Sequence, residues 1–242
     1  MKKVLCGLLL LRTGLSATPL PAAKPGTTFY VVALTGAEVH AQPSFTAHLV
    51  RRLPLGSGVQ AQQTIASLQR QQIGTGLALP GNWVKVTTPT YSGYVFSADL
   101  TLRKPAVRKS SSGMPYIDLL GPKKRSYQPK PPVASRPRNR AGEQTTTEVT
   151  EYANGTYTRT AADGCFTHAY VFRQLALNEV YHQLMSSYAG YEGKQLQLPK
   201  LVSIKGNVYT FTCGFGDTDA EQHLQLTIQP NGTYTISSYD CT

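Results

Sequence analysis

Cys165-Phe-Thr-His168 is where residue type and spacing first suggest chemistry in this chain. A thiolate and an imidazole three residues apart resemble part of a tetrahedral zinc site, which needs about four ligands. The other candidates, Cys213, His223 and Cys241, follow without paired spacing. No metal centre and no cofactor are therefore expected. The simpler assignment makes Cys165 a structural thiol or half-cystine and His168 a surface residue where a helix begins. In an oxidising compartment two of these three cysteines pair. Cys213 and Cys241 each close a predicted strand, so a Cys213–Cys241 disulfide is expected. Asn154-Gly-Thr and Asn231-Gly-Thr match the N-glycosylation pattern, but Asn-Gly is also the favoured pair of a tight hairpin turn, which accounts for both.

The elements that must position these residues are legible as blocks. Residues 144–242 read as a small α+β domain. Thr/Tyr/Val runs flank Asn154–Gly155 and again Asn231–Gly232, which predicts two hairpins. Val171, Phe172, Leu175, Val180, Tyr181, Leu184, Met185 and Tyr188 recur at helical spacing, which predicts a helix over roughly 166–189 ending near Gly190. LVSIKGNVYTFTCGF adds two strands turning at Gly206–Asn207. Residues 28–102 carry short β-rich runs punctuated by Gly and Pro, the spacing of a small all-β barrel. The Gln-rich stretch 64–79 reads as a loop or one helical turn inserted into it.

The strings ALTGAEVHAQPS, HLVRRLPLGSGVQ, GNWVKV and SGYVFSADL make residues 28–102 resemble a bacterial SH3-like domain. The Trp83-Val-Lys-Val and Gly93-Tyr-Val strings are the most specific part. His40 stands where the family usually has Arg. The resemblance implies a barrel that binds cell-wall peptide or an envelope protein. Phe45 and Tyr91 lie in predicted loops and Trp rarely buries fully, so Phe45, Trp83 and Tyr91 are the candidate ligand contacts. Such domains are often joined to papain-like cell-wall cysteine endopeptidases, which place the Cys at a helix N-terminus, where the dipole lowers a thiol pKa, and a His on a later strand. The resemblance thus implies an alternative in which Cys165 is the nucleophile and His223 its base. Against it, Phe166–Thr167 follow the Cys where that family has Ser-Gly, and a hairpin precedes it where that family has a helix.

Charge separates the blocks further. The net charge is +11, from 24 Lys+Arg and 13 Asp+Glu. Residues 103–140 hold 11 basic residues and a single acid, Asp118, whereas residues 141–242 are net acidic. Nucleic-acid binding by the folded parts is thereby excluded. With seven of the 16 prolines, residues 103–143 read as a disordered basic linker. Its basic clusters suit anionic surface polymers or lipid headgroups. Only Tyr116 and Tyr127 offer base-stacking rings there, so nucleic acid is not an expected partner.

Lys2–Lys3, the apolar run Val4–Leu11 and small residues at Ser16–Ala17 and Ala22–Ala23 resemble a secretory signal peptide, ending at 17 or 23. No transmembrane segment is expected, because no run approaches about 18 apolar residues. Taken together, the sequence predicts a periplasmic or secreted, non-catalytic binding protein. Its expected partner is peptidoglycan or an envelope protein, and the linker adds electrostatic attraction.

Overall fold

A computed structural model describes residues 23–110, 113–129, 145–213 and 223–241. Residues 1–22 of the predicted signal peptide and the 136–140 basic cluster lie outside the described residues. Residues 28–101 contribute β1 (Thr28–Val31), β2 (Ala37–His40), β3 (Leu49–Leu53), β4 (Gly58–Ile65), β5 (Arg70–Gly74), β6 (Leu77–Pro80), β7 (Trp83–Thr87), β8 (Ser92–Phe96) and β9 (Leu100–Thr101). A 3-10 turn, Ser97–Asp99, separates the last two. Seven of these strands form one sheet in the order β3-β2-β8-β7-β4-β1-β9, while β5 and β6 pair only with each other.

The expected closed barrel is corrected here: β3 and β9 are the two edges of an open sheet. The reason lies at β9. The Leu100 carbonyl accepts a hydrogen bond from Asn178 Nδ2 at 3.0 Å and Thr101 Oγ1 donates to the Glu179 carboxylate. The strand end that closure would use is engaged by a helix instead. The Gln-rich stretch expected as a loop is also corrected, since it supplies most of the β5–β6 hairpin.

The basic segment is not a disordered linker over its described part. It forms β10 (Ala106–Lys109), β11 (Pro115–Asp118) and β12 (Lys123–Tyr127). Its one apolar patch explains this. Met114, Ile117, Leu119 and Leu120 are buried, and the backbone N–H groups of Ile117 and Leu119 donate to Ser186 Oγ and Gln183 Oε1, each at 2.7 Å. Burying side chains of this size contributes about 1.5–3 kcal/mol each, enough to order a segment with little other apolar surface. β12 then carries its Lys and Arg side chains along a sheet edge, where charge discourages unwanted strand pairing. Arg125 makes a two-pronged ion pair with Glu151 at 2.7 and 2.9 Å, and that hydrogen bonding holds the Glu151 carboxyl below the usual range.

The remaining elements are β13 (Thr146–Tyr152), β14 (Gly155–Ala162), β15 (Cys165–Phe172), α1 (Leu177–Tyr188), β16 (Gly190–Glu192), β17 (Gln195–Gln197), β18 (Leu201–Lys205), β19 (Val208–Phe211), β20 (Leu224–Ile228) and β21 (Tyr234–Cys241). An eight-stranded antiparallel sheet runs β12-β13-β14-β15-β21-β20-β19-β18. The hairpins expected at Asn154–Gly155, Gly206–Asn207 and Asn231–Gly232 join β13 to β14, β18 to β19 and β20 to β21. The predicted helix over 166–189 is shortened. Residues 165–172 are rich in aromatic and β-branched side chains and pair on both sides, with β14 and β21. The α+β expectation gives way to a mostly β protein with one helix among the described residues.

That helix holds the two large sheets together. Val180 and Leu184 on α1 are fully buried in a core that also takes in Trp83 and Phe96 from the first sheet and Phe172 and Ile236 from the second. A smaller cluster around Phe29, Val39 and Val84 fills the first sheet's other side.

Candidate functional site

A cavity of about 260 Å³ opens where β2, the β5–β6 hairpin and α1 meet. Its floor depends on a tight turn at Gly36, whose φ of +86° suits glycine and where a Cβ would lie 2.5 Å from the Leu53 carbonyl oxygen. That turn launches β2, which presents Glu38 and His40. The Ala47 carbonyl can only accept, so His40 Nδ1, 3.0 Å away, carries the proton. His40 Nε2 lies 3.3 Å from Glu38, and the same carboxylate is bound by Arg52 at the rim.

The opposite wall repeats the pairing from different elements. His182 on α1 sets Nε2 3.1 Å from the Ala98 carbonyl and 3.4 Å from Asp99 Oδ1. Asn178, one turn earlier, donates to the Ala98 and Leu100 carbonyls at 3.0 Å each and fixes α1 against the 3-10 turn. His40, His182 and Asp99 are all buried. Arg52, Tyr181 and Gln71 also line the cavity, and Gln71 Oε1 is buried without a hydrogen-bond partner. Phe45, Phe96 and Met185 supply apolar surface.

Of the predicted contacts, the structure brings two together. Phe45 is 40% exposed and packs its ring 5.0 Å from Trp83 and 4.7 Å from Phe96. Trp83 is fully buried beneath it, donating Nε1–H to Gln69 Oε1 at 2.8 Å. Trp83 therefore supports Phe45 rather than facing a ligand. Tyr91 packs against the other cluster under the Arg51 guanidinium, 5.3 Å from its ring, and does not line the cavity. Gln71, Asp99 and His182 were not singled out from sequence. For Asp99 and His182 the one sequence signal is a polar residue within an otherwise apolar segment, whereas Gln71 lies in a Gln-rich run and carries none.

The cysteines are rearranged relative to expectation. The disulfide joins Cys165 to Cys241, S–S 2.04 Å, not Cys213 to Cys241. The register decides this: Cys165 and Cys241 are direct cross-strand partners at the ends of β15 and β21. Cys165 thus begins a strand, its sulfur is already bonded, and α1 begins only at Leu177. His223 is exposed and stands by Tyr239, ring centroids 6.3 Å apart. Cys165 and His223 do not form a nucleophile–base pair here.

A second cavity of about 240 Å³ holds His168, Tyr188, Cys213 and Asp240. His168 commits both ring nitrogens, Nδ1 to the Tyr157 hydroxyl at 2.7 Å and Nε2 to Asp240 at 2.8 Å. Tyr188 bonds Ser238 at 2.9 Å, and burial pushes its hydroxyl up to about 12. This is a satisfied polar network on the sheet face. Its groups are matched to each other.

Among the described residues, no group of three or more His, Cys, Asp or Glu converges as a metal site, and no helix is long and apolar enough to cross a membrane. The chain matches no family model, and neither a curated protein nor a solved structure gives a significant match to it.

Proposed function

We propose that this is a non-catalytic, extracytoplasmic binding protein that engages cell-wall peptide through the cavity between β2, the β5–β6 hairpin and α1. The observation that carries this reading is the cavity's make-up: one exposed aromatic, Phe45, braced by buried Trp83 and Phe96, beside buried polar groups on the other walls. Ligand sites combine mostly apolar walls with a few placed polar groups in this way. The resemblance of residues 28–102 to bacterial SH3-like modules supports the same ligand class. Export is supported by the Cys165–Cys241 bridge, compatible with an oxidising compartment, and by the Lys2–Lys3 and Val4–Leu11 pattern of a signal peptide ending at 17 or 23.

The exposed Lys123 and Lys124 of β12, with Arg108 and Lys109 of β10, add a salt-sensitive attraction to anionic surface polymers or lipid headgroups. Retention of the full chain on purified sacculi, compared at low and high salt, tests the reading. Retention that weakens with salt but persists, and drops with Phe45→Ala, is expected. No retention at any salt overturns it.

A further inference from the structure

We infer that this cavity selects an alkylammonium group on its ligand, the kind of group a lysine or other diamino acid side chain carries. The inference rests on the cavity being a binding site, as proposed above, and names the chemistry it recognises.

Two acceptors of the cavity, on Gln71 and Asp99, are under-matched. Gln71 Oε1 is buried and receives no hydrogen bond, alone among buried side-chain oxygens and nitrogens of the described residues. Such a group is costly to leave unmet, so an incoming N–H gains there. Asp99 is 9% exposed, and its carboxylate meets a single imidazole N–H that it shares with the Ala98 carbonyl. A carboxylate this dry is poorly solvated and favours a cation brought to it. Glu38 does not compete, because the Arg52 guanidinium already pairs with it at the rim. Polar demand therefore concentrates on Gln71 and Asp99, from β5 and from the 3-10 turn.

The rest of the lining fits the stem of such a group. Phe45, Phe96, Ile73 and Met185 line the same space, and an alkyl chain covers apolar surface while its charged head reaches polar atoms. A ligand ending in a carboxylate would meet Asp99 with like charge. A neutral amide would supply N–H groups without the charge that Asp99 favours. An ammonium on a short alkyl stem meets both demands.

Calorimetry on the full chain, with Nα-acetyl-lysine amide and its Nε-acetylated counterpart as probes, tests this. The first is expected to bind at least tenfold more tightly than the second, and Asp99→Asn to abolish that preference. Gln71→Leu keeps size and removes the acceptor. It is expected to weaken the ammonium probe several-fold while leaving the melting temperature equal or higher, which separates lost recognition from lost folding. Equal binding of the two probes, binding of neither, or a preference that survives both substitutions overturns the inference. A parallel arm uses sacculi whose amines have been acetylated. Retention unchanged by acetylation overturns the ammonium inference and leaves wall binding standing. Loss of retention on untreated sacculi removes wall binding instead, and the lysine probes then decide the inference alone.

Discussion

His182 on α1 places its Nε2 3.4 Å from Asp99 Oδ1 in the turn that follows β8, across 83 residues of sequence. The contact joins the helix of the C-terminal half to the sheet of the N-terminal half at the wall of the candidate site. Site and interdomain packing are therefore the same structure. A substitution there is expected to move both.

Asn178 is the clearest case. Its amide donates to two buried carbonyls, Ala98 and Leu100. Asn178→Ala removes the donor at Leu100 and leaves Ala98 only the His182 imidazole, and is expected to destabilise by about 1–3 kcal/mol. Urea denaturation should show a lower midpoint at unchanged slope. The shared core also predicts one cooperative transition, with Trp83 fluorescence and the far-ultraviolet signal coinciding. Two separate transitions would mean the halves fold independently.

Phe45 and Trp83 touch but answer to different forces. Phe45→Ala removes a ring that is 40% exposed and is expected to cost about 1 kcal/mol, with its main effect on ligand retention. Trp83→Ala opens a hole under the Phe45 and Phe96 rings, for about 3–5 kcal/mol. Thermal melts of the two variants, set beside sacculus retention, check the contrast.

The Cys165–Cys241 bridge closes 76 residues of chain. Its removal by paired substitution to serine is expected to cost about 2–5 kcal/mol. Peptide mapping without reduction should recover Cys165 linked to Cys241. A bond from Cys213 to Cys165 or Cys241 would contradict the register of β15 and β21.

Alkaline pH should unfold the protein in a defined direction. Burial raises the hydroxyls of Tyr170, Tyr181 and Tyr188, the last to about 12. Each sits above its unfolded value of about 10, so its stabilising contribution is complete below that pH and is lost as pH rises toward the folded value. Absorbance of tyrosinate, followed beside circular dichroism, should show these three ionising only as structure is lost, between about pH 10 and pH 12.

Local features were legible in the sequence where local physics decides them. The turns at Gly206–Asn207 and Asn231–Gly232 place a glycine at positive φ, the Asn154–Gly155 turn forms without one, and the apolar stripe through Val180, Leu184 and Met185 marks the helix. What was not legible is what covers what. Cys165–Phe172 carries a periodicity that also suits a helix, and only its two strand neighbours make it β15. The 103–127 segment looks too polar to order itself, because the helix face that accepts Ile117 and Leu119 lies more than 60 residues on. The cavity draws its walls from β2, β5 and α1, so no one stretch of sequence contains it. Gln71 is the sharpest example. In sequence it is one glutamine in a Gln-rich run, and its position on a hairpin facing α1 gives it a role.

Nuclear magnetic resonance of the isotope-labelled full chain, titrated with soluble cell-wall muropeptides, addresses the central claim directly. Binding at the cavity predicts that the amide shifts of His40, Phe45, Gln71 and His182 move together and saturate with one affinity. Shifts confined to the His168–Cys213 cavity or to Lys123–Arg125, or no shifts at all, would contradict it.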